Sequence, residues 1–223
     1  MMRAVIFDIG GTLIKTDTAI LDAVRKALKE NDIILKEKEK VIQAFGKSTH
    51  VVIVAAVEQS YSGSDIDRKI DQCWESFNRI FPRKVKRDFT VFPHVEEVLG
   101  KLKRRGVKLA IYTGFDRNET QFLLSGLKLA GYFDFSITKD DVKKVRPDPE
   151  ALVLAINKLG VEKDECIYVG DTVADIQMAK NAKMKMVCVK TGIQENDLLS
   201  KEKPDYFVED TKEMLEKLKN EFI

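Results

Sequence analysis

The sequence contains few cysteines, no long apolar run and no excess of charge of either sign. Its three cysteines, Cys73, Cys166 and Cys188, stand far apart and belong to no CxxC or Cys/His cluster. This spacing argues against a disulfide framework and against a structural zinc site. We interpret the three thiols as parts of a hydrophobic core.

The short apolar runs and the balanced charge limit the possible partners. The apolar run before Asp8 is only four residues long, Ala4–Phe7, and no later stretch approaches the roughly 20 apolar residues of a membrane helix. The 38 lysine and arginine residues nearly balance the 36 aspartate and glutamate residues and are mixed along the whole chain. We therefore predict a cytoplasmic protein without a membrane or nucleic-acid partner, in which any anion site is local.

Short apolar runs, each ended by glycine or polar residues, predict buried parallel strands. Amphipathic segments between these runs predict helices, most of them closed by glycine or a basic residue. Alternating strands and helices predict a Rossmann-like, doubly wound α/β sheet, whose ligands lie beyond the carboxyl ends of the strands. The predicted strands are Ala4–Phe7, Lys108–Tyr112, Cys166–Val169 and Met186–Val189, and the predicted helices are His94–Arg105, Arg117–Leu129, Pro149–Leu159, Ala174–Ala182 and Thr211–Phe222.

The pattern changes between the first predicted strand and the rest of the sheet, because residues 16–87 contain amphipathic helical segments and no convincing buried strand. We predict helices at about 17–31, 37–46, 49–60 and 65–81 in this region. The 223 residues allow a compact core with one smaller insertion. The expected organisation is an α/β core of residues 1–15 and 88–223 with an inserted helical cap of residues 16–87.

Asp8 ends the first predicted strand and is the first candidate for catalysis. A carboxylate attacks a phosphoryl group when it is ionised, in line with the leaving group and screened from the incoming phosphate. Gly10 and Gly11 let the backbone approach a ligand, and Thr12 offers a hydroxyl. The alternative is that Asp8 only caps a turn.

Asp171 and Asp175 form a second acidic site at a strand-to-helix junction. Oxygen ligands suit Mg²⁺, which keeps several waters and takes one or two protein carboxylates. Helix capping by Asp171 is the alternative. Together with Asp8, the two carboxylates favour a magnesium site.

Three further residues are candidates for holding phosphate oxygens. Thr113 and Gly114 supply a hydroxyl and a backbone amide at the end of another predicted strand, and Arg146 supplies a cation fixed by the following proline. The alternative for Arg146 is that it belongs, with Lys143 and Lys144, to a solvated basic loop.

The order of four segments, DIGGTL, IYTG, VRPDPE and VGDTVAD, resembles that of the haloacid dehalogenase superfamily and spans the whole chain. The resemblance implies a doubly wound core with a helical cap inserted after the first segment. It also implies that Asp8 is the nucleophile, that Thr113 is the hydroxyl of the second motif and that Arg146 stands where lysine is usual. Asp171 and Asp175 would be the metal carboxylates.

Gly10 departs from the pattern of the superfamily, in which most phosphatases have an acid–base aspartate at this position. The Gly10 carbonyl still suits a magnesium ligand, but a glycine transfers no proton. General acid–base help contributes roughly 10²–10⁴-fold, so we expect a slow enzyme or one that uses activated leaving groups. A phosphate-binding or regulatory protein with weak or lost turnover is an alternative.

Two branches of the superfamily also lack that aspartate, the 2-haloacid dehalogenases and the phosphonoacetaldehyde hydrolases. The dehalogenases favour a bulky aromatic residue where Gly10 stands. The phosphonoacetaldehyde hydrolases are more similar. Their cap has a lysine that forms a Schiff base with the aldehyde and a histidine three residues later, and Lys47 and His50 have the same spacing here. Residues i and i+3 share a helical face, which would direct both side chains into the cleft.

From these residues we expect a Mg²⁺-dependent phosphatase that acts on a small phosphorylated metabolite through an aspartyl-phosphate. The alternative is a carbon–phosphorus bond hydrolase with Lys47 as the Schiff-base lysine. The leaving-group acid of the phosphatase is unassigned, and His50 is a candidate only if closure of the cap brings it within reach. Either a monomer or a homodimer is compatible with the sequence.

Overall fold

The computed structural model describes residues 1–221, except for the side chains of residues 84–87. Its centre is a six-stranded sheet, and a separate two-stranded antiparallel ribbon pairs Ile14 with Val91. The strands are β1 Ala4–Phe7, β2 Ile14–Lys15, β3 Thr90–Val91, β4 Lys108–Tyr112, β5 Phe135–Ile137, β6 Cys166–Gly170, β7 Lys185–Val189 and β8 Tyr206–Val208.

The large sheet has the order β5-β4-β1-β6-β7-β8, and all its pairs are parallel. Phe7 at the end of β1 pairs with Ile111 on one side and with Val169 on the other. Along the chain, β4 and β5 are added on one side of β1, and β6, β7 and β8 are then added on the other side. The carboxyl end of β1 is therefore the switch point at which such sheets bind ligands.

Ten α-helices connect these strands within residues 1–221. Four of them lie between the two ribbon strands β2 and β3, and the other six follow β3. The helices are α1 Asp17–Glu30, α2 Lys38–Ile42, α3 Thr49–Ser60, α4 Ile66–Asp88, α5 Val95–Arg104, α6 Arg117–Gly126, α7 Glu150–Leu159, α8 Val173–Asn181, α9 Asn196–Lys201 and α10 Thr211–Leu218.

Each face of the sheet carries its own hydrophobic core, because successive side chains of a strand point to opposite faces. Val5 and Phe7 belong to the core that also contains side chains of α1, α3, α5 and α10. Ala4 and Ile6 belong to the core formed with α7, α8 and α9. The doubly wound α/β fold predicted from the sequence is confirmed, and both faces of β1 are buried.

The helices between β2 and β3 pack mainly on one another. α4 packs against α1 and α3, and its aromatic side chains Trp74, Phe77 and Phe81 stack in sequence with ring centroids 5.8 and 5.0 Å apart. Phe81 also contacts Phe115, which follows β4. This contact joins the helical group to the carboxyl end of the sheet.

Several predicted boundaries differ from the structure. α2 covers only Lys38–Ile42 of the predicted segment 37–46, and α4 continues to Asp88 instead of ending near residue 81. α6 ends at Gly126, and the predicted last helical residue Phe222 lies outside the described residues. In the described part of the chain, no helix is both long and apolar enough to span a membrane.

Candidate active site

A cavity of about 50 Å³ lies at the carboxyl ends of the central strands. Asp8 follows β1, Thr113 follows β4 and Asp171 follows β6, and all three line this cavity together with Gly10 and Arg146. Because parallel strands end at one edge of the sheet, residues far apart in the chain meet there. The sequence prediction that Asp8, Thr113 and Asp171 share one edge is confirmed.

Arg146 forms the centre of the charged network. Its side chain is only 2% exposed, and its Nη2 donates to Asp8 Oδ1 at 2.7 Å while its Nη1 donates to Asp175 Oδ1 at 2.5 Å. The guanidinium also lies over the Tyr112 ring, 4.7 Å from its centroid. Arg146 is thus a buried, doubly paired cation and does not belong to a solvated loop.

Asp175 lies behind Arg146 and does not line the cavity. Thr172 caps helix α8 and forms a reciprocal capping box with Asp175, so that one oxygen of this carboxylate accepts from Thr172. The other oxygen accepts from Arg146 and from the Tyr168 hydroxyl, the latter at 2.6 Å. Its assignment as a metal ligand stays a prediction, since both oxygens already have protein donors.

Asp171 is left free of helix capping, because Thr172 performs that role. The Thr12 hydroxyl donates to Asp171 Oδ1 at 2.8 Å. The backbone of Gly11 lies so close to the carboxylate that an added β-carbon would be 2.1 Å from Asp171 Oδ2, and Gly11 has a φ of +78°. Gly11 and Thr12 therefore position Asp171, although neither of them lines the cavity itself.

The buried carboxyl groups of the site favour a bound cation. Burial raises the pKa of Asp8 to about 7 although Arg146 acts in the opposite direction. Burial and the nearby Asp17, Asp8 and Asp175 raise the pKa of Asp171 well above its usual range. Each shift reports a disfavoured negative charge, which a cation beside Asp8 and Asp171 would relieve.

The carboxylates of the site suit a metal ion that is held largely through water. Within residues 1–221, no three histidine, cysteine, aspartate or glutamate side chains form a group suited to hold a metal ion. Mg²⁺ does not require such a cage, because it usually binds through one or two carboxylates and keeps several waters. Asp8, Asp171 and the Gly10 carbonyl fit this ion.

Lys47 and His50 do not share a helical face. Helix α3 begins at Thr49 and is capped by Ser48, so Lys47 lies in the preceding loop. Lys47 lines the cavity, whereas the His50 ring packs edge-on against Trp74 with centroids 5.0 Å apart. The expectation that their spacing directs both side chains into the cleft is wrong, and only Lys47 lines the cavity.

Several residues that line the cavity were not predicted as site residues from the sequence. Among them are Thr16, Asp17 and Phe45. Asp17 is the first residue of α1, where an acidic side chain is common because it complements the helix dipole. This local role gives no sign that Asp17 also lines the cavity at the carboxyl end of β1.

The chain belongs to the haloacid dehalogenase-like hydrolase family, which it matches over residues 5–189. It is a hydrolase of the phosphatase type. Pyrophosphatase PpaX from Bacillus velezensis is 32% identical over 217 residues, which cover 96% of this chain and 95% of the relative. Phosphoglycolate phosphatase from Pectobacterium atrosepticum is 28% identical over 205 residues, which cover 92% of this chain and 87% of the relative.

The fold also matches solved structures. The crystal structure of a predicted phosphoglycolate phosphatase from Haemophilus somnus superposes with a TM-score of 0.87 and covers 96% of this chain and 97% of that one. Its sequence identity is 21%, so the likeness establishes the fold alone.

Proposed function

We propose that the protein is a Mg²⁺-dependent phosphatase that transfers the phosphoryl group of a small metabolite to Asp8. The main support for this proposal is the position of Asp8 at the carboxyl end of β1. Asp8 lies in one cavity with Asp171 and contacts Arg146. Asp8, Asp171 and the Gly10 carbonyl would hold the ion, which would offset the negative charge of the substrate.

The other residues of the cavity act on the phosphoryl group. Thr113 and the Gly114 amide hold its equatorial oxygens. Arg146 orients the Asp8 carboxylate and faces the same oxygens, and Asp175 keeps Arg146 in place. These preorganised donors act where the transition-state charge is spread over the oxygens.

The size of the cavity and the relatives favour a compact substrate. The cavity is small, about 50 Å³, and Lys47 adds a cation to its wall. Pyrophosphate and phosphoglycolate, which the names of the relatives mention, each combine a phosphate with a second anionic group. A small substrate of this kind is the proposed class.

In this function, residues 16–87 act as a cap over the core formed by residues 1–15 and 88–223. The loop before α3 closes on the core at two points. A β-carbon at Gly114 would lie 2.2 Å from the Lys47 carbonyl oxygen, and one at Gly46 would lie 2.3 Å from Thr172 Oγ1. Closure of this loop would exclude water from the reacting groups.

Replacing Gly114 by alanine is expected to hold the loop away from the core. We expect kcat/KM to fall by about 10- to 100-fold, because misplacement by about 1 Å has effects of this size, with little change in melting temperature. Gly126→Ala is the matched control, since a β-carbon there meets nothing within 4 Å. Equal kcat/KM values for the two variants would contradict this role of the loop.

The metal requirement is tested by phosphate release from an aryl phosphate, pyrophosphate and phosphoglycolate. We expect turnover with Mg²⁺, its loss with EDTA and its recovery when Mg²⁺ is restored. Asp171→Asn is expected to lower turnover on the order of 100-fold or more and to weaken Mg²⁺ binding in calorimetry. Turnover that is the same with EDTA as with Mg²⁺ would contradict the proposed ion.

Carbon–phosphorus bond hydrolysis is the second candidate, because Lys47 lines the same cavity as Asp8. Schiff-base chemistry predicts that borohydride traps phosphonoacetaldehyde on Lys47, with a mass shift that Lys47→Met removes. Failure to trap the aldehyde, together with turnover of phosphate esters, would eliminate this candidate.

A further inference from the structure

The hydrolysis of an alkyl phosphate needs a proton at the leaving oxygen, and position 10 is a glycine, which donates none. Asp8 is the proposed nucleophile and is paired with Arg146. Asp171 is held by Thr12 and faces the proposed ion. Neither carboxylate is free to transfer a proton, so the donor must be another group.

The space beside Gly10 is occupied by Thr16. A β-carbon added at position 10 would lie 2.6 Å from Thr16 Oγ1, and Thr16 is only 1% exposed. Its hydroxyl donates to Asp17 Oδ1 at 3.1 Å. Thr16 therefore occupies the space that a side chain at position 10 would take, and its hydroxyl contacts the Asp17 carboxylate.

Asp17 lines the same cavity as Asp8 and Gly10. It is held there by the Thr16 hydroxyl and by the backbone N–H of Ile193, which also donates to its carboxylate. A carboxyl group at this place can both donate a proton and accept one, as proton transfer in both directions requires.

The other titratable side chains of the cavity do not suit this task. Among the described residues that line the cavity, the titratable side chains besides Asp8, Asp17 and Asp171 are those of Lys47 and Arg146. Arg146 does not deprotonate in proteins. Lys47 is exposed on the cap loop, and His50 is packed against Trp74 outside the cavity wall.

We propose that Asp17 is the general acid and base of the reaction, in place of the carboxyl group that position 10 lacks. This inference rests on the proposed phosphatase function. Thr16 acts as the residue that positions Asp17.

The proton balance of both half-reactions is complete. In the first, Asp8 attacks phosphorus, the bond from phosphorus to the leaving oxygen breaks, and that oxygen takes its electron pair and the proton of Asp17. In the second, water attacks phosphorus and gives its proton to the Asp17 carboxylate. The bond from phosphorus to Asp8 then breaks, its electron pair returns to Asp8, and phosphate leaves.

Leaving-group dependence tests this role, because p-nitrophenolate departs without a proton whereas an alkoxide does not. For Asp17→Asn we expect kcat/KM to fall roughly 10²–10⁴-fold on an alkyl phosphate. On p-nitrophenyl phosphate we expect a much smaller loss. Stopped-flow mixing is expected to show a nitrophenolate burst of about one equivalent, followed by slow turnover, because hydrolysis of the aspartyl-phosphate also lacks its base.

Asp164→Asn is the matched control, because the Asp164 side chain is 85% exposed and precedes β6, whose opposite end carries the site. Asp17→Glu keeps a carboxyl group and is expected to retain part of the alkyl phosphate activity. Asp17→Ser removes the carboxyl group in a second way and replaces Asp17→Asn in the assay if that variant folds poorly.

Two results would overturn the assignment of Asp17, and only the second would also overturn the proposed phosphatase function. Equal losses on both substrates, or no loss on either, would remove Asp17 from the chemistry and leave the phosphatase function intact. Absence of nitrophenolate release by the native protein with Mg²⁺ would overturn the proposed function and this inference with it.

Discussion

Asp8→Asn is expected to reduce phosphate release on the order of 10⁴-fold or more, the effect of removing a covalent nucleophile, without weakening the fold. An amide does not attack phosphorus, whereas its shape and its oxygen still suit the Arg146 guanidinium. The measurement is phosphate release from p-nitrophenyl phosphate with Mg²⁺.

The stability of the same variant follows from the pKa of Asp8. Burial raises this pKa from 3.8 to about 7, so the folded state disfavours the ionised form. The free energy of unfolding therefore falls as the pH rises from 3.8 toward about 7, and the full loss is present above that value. Asparagine carries no charge and avoids this loss.

We expect Asp8→Asn to unfold in urea with EDTA at about pH 8 at the same concentration as the native protein or a higher one. Asp164→Asn is the control for the loss of one carboxylate at the surface. A variant that keeps native turnover would refute Asp8 as the nucleophile. If the variant unfolds at a much lower urea concentration than the native protein, its lost activity reflects lost structure.

Arg146→Met is expected to destabilise the fold by about 3–5 kcal/mol, as is usual when one partner of a buried ion pair is removed. Asp8 and Asp175 both depend on this guanidinium, and their side chains are 6% and 0% exposed. Without it, two buried carboxyl groups lose the cation that they share. The free energy of unfolding in urea at neutral pH without added metal measures the effect.

Arg117→Met is the matched control, since Arg117 forms its ion pair with Asp141 while 66% exposed. Exposed pairs contribute about 1 kcal/mol or less. Asp175→Asn added to Arg146→Met is expected to recover part of the loss, because it removes the buried carboxylate that Arg146 Nη1 pairs in the native protein. Similar losses for Arg146→Met and Arg117→Met would contradict the central role of Arg146.

The strands show which parts of the fold the sequence reveals. β1, β4, β6 and β7 were predicted, because strands covered on both faces are continuous apolar runs. β5 Phe135–Ile137 and β8 Tyr206–Val208 were missed. They are the edge strands of the sheet, only three residues long and partly exposed, and so lack that pattern.

The helical region shows the limit of local periodicity. The spacing of Lys47 and His50 indicated a shared helical face, but Ser48 accepts a hydrogen bond from the Val51 N–H and starts α3 after Lys47. A cap residue thus decided which of the two side chains lines the cavity. Spacing alone does not show where a helix begins.

By itself, the sequence determined the strands that end at the site and therefore the meeting of Asp8, Thr113 and Asp171 at one edge of the sheet. Those signals are local, since each is an apolar run followed by a polar residue. Only the tertiary structure decided that Arg146 joins Asp8 to Asp175 and that Thr16 fills the space beside Gly10. Asp8 and Arg146 are 138 residues apart, and a contact over such a distance arises from packing, which no local pattern of residues encodes.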